Sequence, residues 1–220
     1  MWARGESDSG SPPCEGGVLP LDYEPKTTNK ISSLQVIMFC MVKFYTGFGD
    51  RGKTAIGSKV VDKTDVLVNA IGEIDELNAE LGVALENLHD KSLRANLLKI
   101  QEKLFIAGAQ IASLMDKRFS PKSSITSRDV AEIEHYTDTL GRRVGKLNKF
   151  VLPGGPNGSA YLDKARTVAR RTERVVVLLS KSYKVDENML AYINRLSSFL
   201  FVAARYVNKI NDVKERHPKY

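Results

Sequence analysis

The segment Arg166-Thr-Val-Ala-Arg170-Arg171-Thr-Glu173-Arg174 carries four guanidinium groups within nine residues. Arg166, Arg170 and Glu173 are spaced i, i+4 and i+7, so they share one face of a helix. The arginines therefore border the hydrophobic core, and the segment is predicted to lie in an amphipathic helix. The apolar stripe beside the arginines consists of Leu162, Ala165, Ala169, Thr172, Val176 and Leu179.

This arginine row has two interpretations. Like charges at i and i+4 repel on a helix, and a bound polyanion removes that repulsion. The planar guanidinium holds phosphate oxygens with two hydrogen bonds, which favours a phosphate-bearing ligand. The alternative is a solvated basic face with Glu173 as its internal partner. The helix alone leaves both interpretations open.

Outward from this segment, the hydrophobic periodicity predicts five helices in all. Asp186 is suited to cap the last of them, and Thr126 with Asp129 forms a capping box before the third. The links are short, so we predict an all-α fold: a five-helix antiparallel bundle with an N-terminal glycine-rich loop. The predicted helices span about residues 65–88, 93–115, 126–147, 159–183 and 186–210.

The chain of 220 residues fits one domain with tails. Residues 1–40 are rich in turn formers and acidic residues, so we expect a disordered N-terminal extension and no mitochondrial transit peptide. Met41 is a candidate for the natural start. Residues 41–212 are predicted to form the bundle domain, and residues 213–220 a basic C-terminal tail.

The net charge of +7 indicates an anionic partner, either a nucleic acid or a nucleotide. Only Cys14 and Cys40 are present, so we expect no disulfide framework, no cysteine metal site and a reducing cytoplasm. No apolar run approaches the roughly 20 residues that cross a bilayer, so no membrane partner is expected.

A glycine-rich loop precedes the helices, between Phe44 and Thr54. Its glycines allow backbone N–H groups to converge on an anion, which predicts a phosphate-binding loop. Residues 47–54 also match the P-loop pattern G-x-x-x-x-G-K-T. No helix pattern follows Lys53, so a P-loop fold is not expected. A plain hairpin or surface loop is the alternative.

Other polar and aromatic residues stay ambiguous when each is taken alone. Glu132-x-x-His135 matches one half of a di-iron site, but the second half is missing. Phe150 is either a core anchor or a group held at a cavity mouth. A last set of polar residues lies near apolar stripes and serves either interhelical hydrogen bonds or a ligand. That set is Asp75, Asn78 and Asn194.

Four segments together resemble the PduO-type ATP:cob(I)alamin adenosyltransferases. Their order and spacing cover about residues 42–208. The resemblance implies a five-helix bundle that forms a homotrimer, with ATP and the corrinoid bound between neighbouring subunits. The reaction it implies moves the 5′-deoxyadenosyl group of ATP to cob(I)alamin and releases triphosphate. The four segments are Tyr45–Thr54, Gly72–Asn78, Phe150–Gly155 with Ala165–Arg174, and Ile193–Ser197 with Ala204–Tyr206.

The resemblance also implies site residues. Phosphate would be ligated by Arg170, Arg171 and Arg174. Glu173 and Asn194 would complete the nucleotide and Mg²⁺ environment. The glycine-rich loop would wrap the triphosphate, with Lys63 reaching it from downstream. The loop residues are Thr46, Gly47, Phe48, Gly49, Asp50, Arg51, Gly52, Lys53 and Thr54.

Near the corrinoid, the resemblance implies that Arg166 pairs with Asp75 across the subunit interface. Phe150 would crowd the lower face of cobalt and favour a four-coordinate corrinoid. One departure is Gly47, where the family usually has lysine. Either Lys53 or Arg51 supplies that charge, or ATP binds more weakly.

The resemblance implies two kinds of partner, a corrinoid reductase and an adenosylcobalamin-dependent mutase or dehydratase. It implies no binding to nucleic acid. Two other classes of protein compete with it. A P-loop NTPase would release ADP and phosphate. A non-enzymatic basic bundle would bind nucleic acid or another protein and would show salt-sensitive binding.

Overall fold

The computed structural model describes residues 45–156 and 158–219, with Phe119 described by its backbone alone. The predicted extension at residues 1–40 and the candidate start at Met41 lie outside the described residues. The chain divides into two units, Met1–Arg51 and Gly52–Tyr220. In the first unit, the described part is a short 3-10 helix, Phe48–Arg51, with its flanking residues.

The second unit contains the five predicted helices. Asp65, Asp90 and Asp186 cap three of them by accepting backbone N–H groups with their carboxylates. The capping box is also present, because the N–H of Thr126 donates to Asp129 at 2.8 Å. The helices are α1 Val66–Glu86, α2 Lys91–Met115, α3 Ser127–Val144, α4 Ser159–Leu179 and α5 Glu187–Ile210.

Two helices end three or more residues before their predicted last residue. The third helix was expected to reach residue 147 but ends at Val144, because Gly145 adopts a φ of 83° and leaves the helical conformation. The fourth was expected to reach Tyr183 but ends at Leu179. The following residues form hydrogen-bonded turns instead, such as Tyr183 N–H to Leu179 O at 3.0 Å.

A two-stranded antiparallel hairpin precedes α1. It consists of β1 Lys53–Ile56 and β2 Lys59–Asp62, and the turn between them contains Gly57 at a φ of 63°. The P-loop alternative is therefore wrong, since a P-loop requires a helix that starts at its Lys-Thr pair. Here that pair opens a strand, because β-branched residues and the glycine favour a hairpin.

The helices run up and down in chain order. Side-chain contacts show that four pairs of neighbouring helices are antiparallel: α1 with α2, α2 with α3, α1 with α4, and α4 with α5. The fifth pair, α3 with α5, is parallel. The five-helix bundle prediction is confirmed. The contacts that establish the directions, two for each pair, are Asn78 with Gln101, Leu85 with Arg94, Glu132 with Lys99, Asp129 with Lys103, Glu73 with Arg171, Glu80 with Lys164, Asp163 with Arg205, Glu173 with Asn194, Glu134 with Arg195, and Arg143 with Tyr206.

This alternation gives the bundle two distinct ends. The hairpin, the start of α1 and the end of α4 lie at one end, which we call the hairpin end. The opposite end holds the start of α4, the end of α5 and the loop between α3 and α4, and we call it the loop end. The predicted apolar stripes form the core; for example, Leu162, Ala165 and Val176 are fully buried on α4. In the described part of the chain, no helix has the length and apolarity that a membrane span requires.

Candidate functional site

The arginines of α4 are held in two different ways. Arg171 turns toward α1, where its Nε lies 2.7 Å from Glu73 and its Nη2 contacts Glu76. The hydrogen bond to Glu73, followed by that to Glu76, raises the pKa of the Arg171 guanidinium above its ordinary value. The neighbouring Thr172 hydroxyl donates to the Glu73 carbonyl at 3.1 Å. Arg171 therefore joins α4 to α1.

Arg170 and Arg174 are exposed on the same helix. Nη1 of Arg174 donates to the backbone carbonyl of Arg170 at 3.0 Å. Neither guanidinium forms an ion pair with a carboxylate in residues 45–156 or 158–219. These two cations are chemically available to an anion from solution.

Glu173 does not partner the arginines. Its carboxylate accepts a hydrogen bond of 2.6 Å from Nδ2 of Asn194 on α5. The alternative in which Glu173 is the internal partner of the arginine row therefore finds no support in the described residues. For Asn194, an interhelical hydrogen bond was one of the two interpretations, and its contact with Glu173 on α4 is such a bond. Asn194 is exposed, and its Oδ1 also accepts from Arg195 at 2.6 Å. The pair forms a polar contact at the surface beside the arginine row.

Arg166 lies one turn closer to the loop end and is half-buried. Its Nε is 3.5 Å from Oδ1 of Asp163, within α4 itself. Asp75, its expected partner across the subunit interface, is exposed on α1, so its predicted place near the buried stripe was wrong. Asn78 is buried as predicted, and its Oδ1 has no hydrogen-bond partner in the described residues.

The described part of the glycine-rich loop is a tight turn within the first unit. The N–H of Asp50 donates to Gly47 O at 3.2 Å, and the N–H of Phe48 donates to the Thr46 hydroxyl at 3.3 Å. Gly47 has a φ of 71°, which glycine adopts without strain. Gly49 is not among the residues with positive φ. Asp50 and Arg51 are exposed.

Gly52, Lys53 and Thr54, the last residues of the glycine-rich loop, belong to the second unit. Gly52 has a φ of 75°, and its carbonyl accepts the N–H of Lys63 at 2.8 Å. The Lys53 ammonium lies 2.9 Å from Asp62 across the hairpin, and Thr54 is half-buried. The side chain of Lys63 is exposed beside the start of α1.

The hairpin is anchored by a carboxylate at the end of α2. Asp116 accepts the N–H of Ser58 at 3.2 Å and its hydroxyl at 3.3 Å. The hydrogen bonds that Asp116 receives from Arg118, and then that from Ser58, hold its pKa well below its usual range. Sequence reasoning missed this contact, because Asp116 was assigned to a loop.

Phe150 lies in the loop between α3 and α4, at the loop end. Its side chain is 79% exposed, so the core-anchor alternative is wrong. Its carbonyl lies 2.8 Å from Nδ1 of His217, and the N–H of Leu152 donates to Arg216 O at 2.8 Å. The predicted tail at residues 213–220 therefore packs along this loop in its described part.

The di-iron alternative finds no support in the described residues, which contain no cluster of three or more metal-ligating side chains. Glu132 accepts hydrogen bonds from Lys99 at 3.2 Å and from Tyr136. The Tyr136 hydrogen bond is the main cause that lowers the pKa of Glu132. His135 is exposed.

Known proteins resemble this chain over most of its length. The family model described as Cobalamin adenosyltransferase matches residues 44–207. A corrinoid adenosyltransferase of Bacillus subtilis is 39% identical over 171 residues, which cover 76% of this chain and 87% of that protein. One from Citrobacter freundii is 37% identical over 174 residues, covering 79% of this chain and 99% of that protein.

A solved structure agrees with these sequence relatives. It is a variant PduO-type ATP:corrinoid adenosyltransferase from Lactobacillus reuteri complexed with cobalamin and ATP. The match has a TM-score of 0.75 and 33% identity, and it covers 80% of this chain and 97% of that one. The chain described here therefore belongs to the cobalamin adenosyltransferase family.

Proposed function

We propose that this protein transfers the 5′-deoxyadenosyl group of ATP to cob(I)alamin, giving adenosylcobalamin and triphosphate. The structural observation that carries the proposal is the pair of exposed guanidiniums, Arg170 and Arg174, on a helix fixed to its neighbour by Arg171. A departing triphosphate needs cations that are fixed in place but not already neutralised. The Lactobacillus reuteri relative is complexed with cobalamin and ATP, and the Bacillus subtilis and Citrobacter freundii relatives are corrinoid adenosyltransferases.

The reaction needs no activated side chain as nucleophile. The electron pair of cob(I)alamin attacks the 5′ carbon of the ribose, the carbon–oxygen bond to the triphosphate breaks, and its electrons leave with the triphosphate. The protein must align the two substrates and stabilise the charge that gathers on the leaving group. Arg170 and Arg174 are the residues we assign to the second task.

Arg171 has a different task in this proposal. Its guanidinium is bound to Glu73 and Glu76, so we assign it mainly to the placement of α4, with phosphate contact through its remaining N–H groups. Lys63 and the loop from Thr46 to Thr54 would wrap the phosphates. Support comes from the positive φ of Gly47 and Gly52, which suits a backbone that turns its N–H groups toward an anion.

Mg²⁺ would arrive with ATP. Glu173 is the carboxylate suited to contact it, because the hydrogen bond from Asn194 occupies Oε1 and orients the other oxygen. A single carboxylate with substrate phosphates is a common Mg²⁺ environment in proteins. The ion would neutralise phosphate charge, while Glu173 and Asn194 orient the nucleotide.

Phe150 would meet the corrinoid. An aromatic ring that is 79% exposed at the end of a bundle is available to pack on a large ligand. At the lower face of cobalt it would exclude a water ligand and favour the four-coordinate corrinoid.

We further propose a homotrimer, with each site completed by a neighbouring subunit. The exposed carboxylate of Asp75 is available to Arg166 of such a neighbour, and within residues 45–156 and 158–219 the ion pair of Arg166 is limited to a 3.5 Å contact with Asp163. A corrinoid reductase would supply the cob(I)alamin, and an adenosylcobalamin-dependent mutase or dehydratase would take the product. The need for a strongly reduced substrate favours the cytoplasm.

The test is direct. Purified protein is incubated with ATP, Mg²⁺ and chemically reduced cobalamin, and the visible spectrum is followed for adenosylcobalamin while the phosphate products are separated. We expect triphosphate as the nucleotide-derived product. Release of ADP and phosphate would contradict the proposal, and so would salt-sensitive binding of DNA or RNA without turnover.

A further inference from the structure

Arg205 on α5 is a fully buried arginine that the proposed reaction does not use. Its side chain is 1% exposed. In the sequence it is the only charged residue in the apolar run Phe199–Val207. A buried guanidinium is tolerated only when carboxylates and hydrogen bonds compensate the lost hydration. The neighbours of Arg205 therefore indicate what it holds together.

Asp163, in the first turns of α4, is one of those neighbours. It is 4% exposed, and its Oδ2 accepts from Nη2 of Arg205. The same oxygen accepts the N–H of Gly154 at 2.8 Å, and Oδ1 lies 3.5 Å from Arg166. One carboxylate thus connects α5, the Phe150 loop and an arginine of the proposed corrinoid site.

Glu215, in the C-terminal segment, is the second carboxylate. It lies 2.7 Å from Nη1 of Arg205. Asn208 contacts it at 3.2 Å and donates to Gly154 O at 3.0 Å. Gly155 is packed so closely against Asn208 that an added Cβ would overlap the amide. The segment after α5 is therefore fixed to the base of the loop.

From that anchor the chain continues along the loop toward Phe150. Arg216 O accepts the N–H of Leu152, and His217 lies against the Phe150 carbonyl, both at 2.8 Å. The backbone on either side of Val151 is thereby held, while the Phe150 ring stays exposed. A loop with several Pro and Gly residues has no helix or strand of its own to fix it.

We propose that Arg205, through Asp163 and Glu215, is a positioning residue that fixes the Phe150 loop against the corrinoid. The inference rests on the proposed role of Phe150. One part of the inference concerns structure alone: the C-terminal segment restrains the Phe150 loop. This part can be tested without measuring activity.

The first experiment measures amide hydrogen exchange at Leu152 and Gly154 in the full chain. Glu215→Ala removes one partner of Arg205, and Arg216→Ala is the matched control, because it keeps the backbone carbonyl that Leu152 uses. We expect exchange at both amides to quicken by about tenfold in Glu215→Ala, as for the loss of one ordinary hydrogen bond. We expect no change in Arg216→Ala or within α4.

The second experiment separates ATP binding from turnover. In Glu215→Ala we expect turnover at saturating ATP to fall several-fold while the dissociation constant for ATP stays at the wild-type value. Arg205→Lys, which keeps the charge but loses the planar guanidinium that reaches both carboxylates, should show the same split.

Unchanged exchange at Leu152 and Gly154 in Glu215→Ala would overturn the inference. An equal loss of ATP affinity and turnover would also overturn it, because a general destabilisation would explain both. If wild-type protein forms no adenosylcobalamin, the proposed function fails, and the exchange data still decide whether the segment restrains the loop.

Discussion

The arginines of α4 fall into two groups that alternate along one helix. Arg166 and Arg171 point at carboxylates, Asp163 in the first case and Glu73 with Glu76 in the second. Arg170 and Arg174 point at solvent. All four have the same chemistry, so the difference lies in the carboxylates within reach, on α4 itself for Arg166 and on α1 for Arg171. The first group is paired, with Arg171 joining α4 to α1, and the second group is left for a ligand.

The comparison shows how a bundle can build an anion site without burying unpaired charge. Carboxylates behind the helix restrain it, and exposed guanidiniums keep their water until a ligand replaces it. An exposed cation costs little in the unliganded protein, whereas a buried one needs a partner. Four variants test this division of roles.

The largest effect is expected for Arg170→Ala. A charge-assisted hydrogen bond contributes roughly 1.5–3 kcal/mol, so turnover should fall about ten- to a hundred-fold or more. The melting temperature should stay at the wild-type value, because Arg170 has no ion pair to lose in the described chain. Adenosylcobalamin formation and thermal unfolding are the measurements. Arg128→Ala, an exposed arginine on α3, is the control, and wild-type turnover in Arg170→Ala would remove the exposed group from the mechanism.

Phe150→Ala tests the loop end of the bundle. The exposed ring contacts no phosphate in our proposal, so turnover should fall by about tenfold or more while ATP affinity is unchanged. Steady-state kinetics and direct ATP titration measure the two quantities. Leu152→Ala, at a second exposed apolar side chain of the same loop, is the control. A matched loss of ATP affinity would contradict the separation of the two tasks.

Arg171→Ala should lower the stability of the protein more, and its turnover less, than Arg170→Ala does. Arg171 is part-exposed, so its ion pairs with Glu73 and Glu76 are screened, and we expect the free energy of unfolding to fall by about 1 kcal/mol. Urea unfolding measures it. Turnover should fall less than in Arg170→Ala. A stable Arg171→Ala protein with the larger loss of turnover would reverse the assignment of the two groups.

The smallest effect concerns Asp116, the carboxylate that anchors the hairpin. Its folded pKa is depressed, so it stabilises the protein above the ordinary carboxyl pKa of about 4, and this contribution is lost as the pH falls through the folded value. Thermal unfolding between pH 7 and pH 3 should therefore be less pH-dependent in Asp116→Asn than in wild type. Asp138→Asn, at an exposed carboxylate of α3, should retain the wild-type dependence.

Helix number and most helix starts were predictable because they depend on local residues. Asp65, the Thr126–Asp129 box and Asp186 each mark a start by a hydrogen bond to a backbone only two or three residues away. The apolar stripe of α4 was also predictable, since its period follows from helix geometry. The hairpin at residues 53–62 was not predicted: the hairpin alternative concerned residues 44–54, and Val60 and Val61 are too few to indicate a strand.

The partners of charged residues were not predictable. Arg171 and Glu73 are 98 positions apart in the sequence, so their contact depends on how α1 and α4 align, and no local pattern encodes that. The same is true of Asp75 and Asn194, whose surroundings are set by helix rotation. One signal was present but unused: Arg205 stands alone in an apolar run, which indicates a buried and paired charge.

An odd number of alternating helices leaves one macrodipole uncompensated. Three helix N-termini and two C-termini lie at the hairpin end, a surplus that corresponds to roughly half a positive elementary charge there. The carboxylates of Asp65, Asp129 and Asp186 lie at those three N-termini and offset this partial charge. A chain stripped of its exposed arginines would therefore keep little attraction for a nucleotide from its backbone alone.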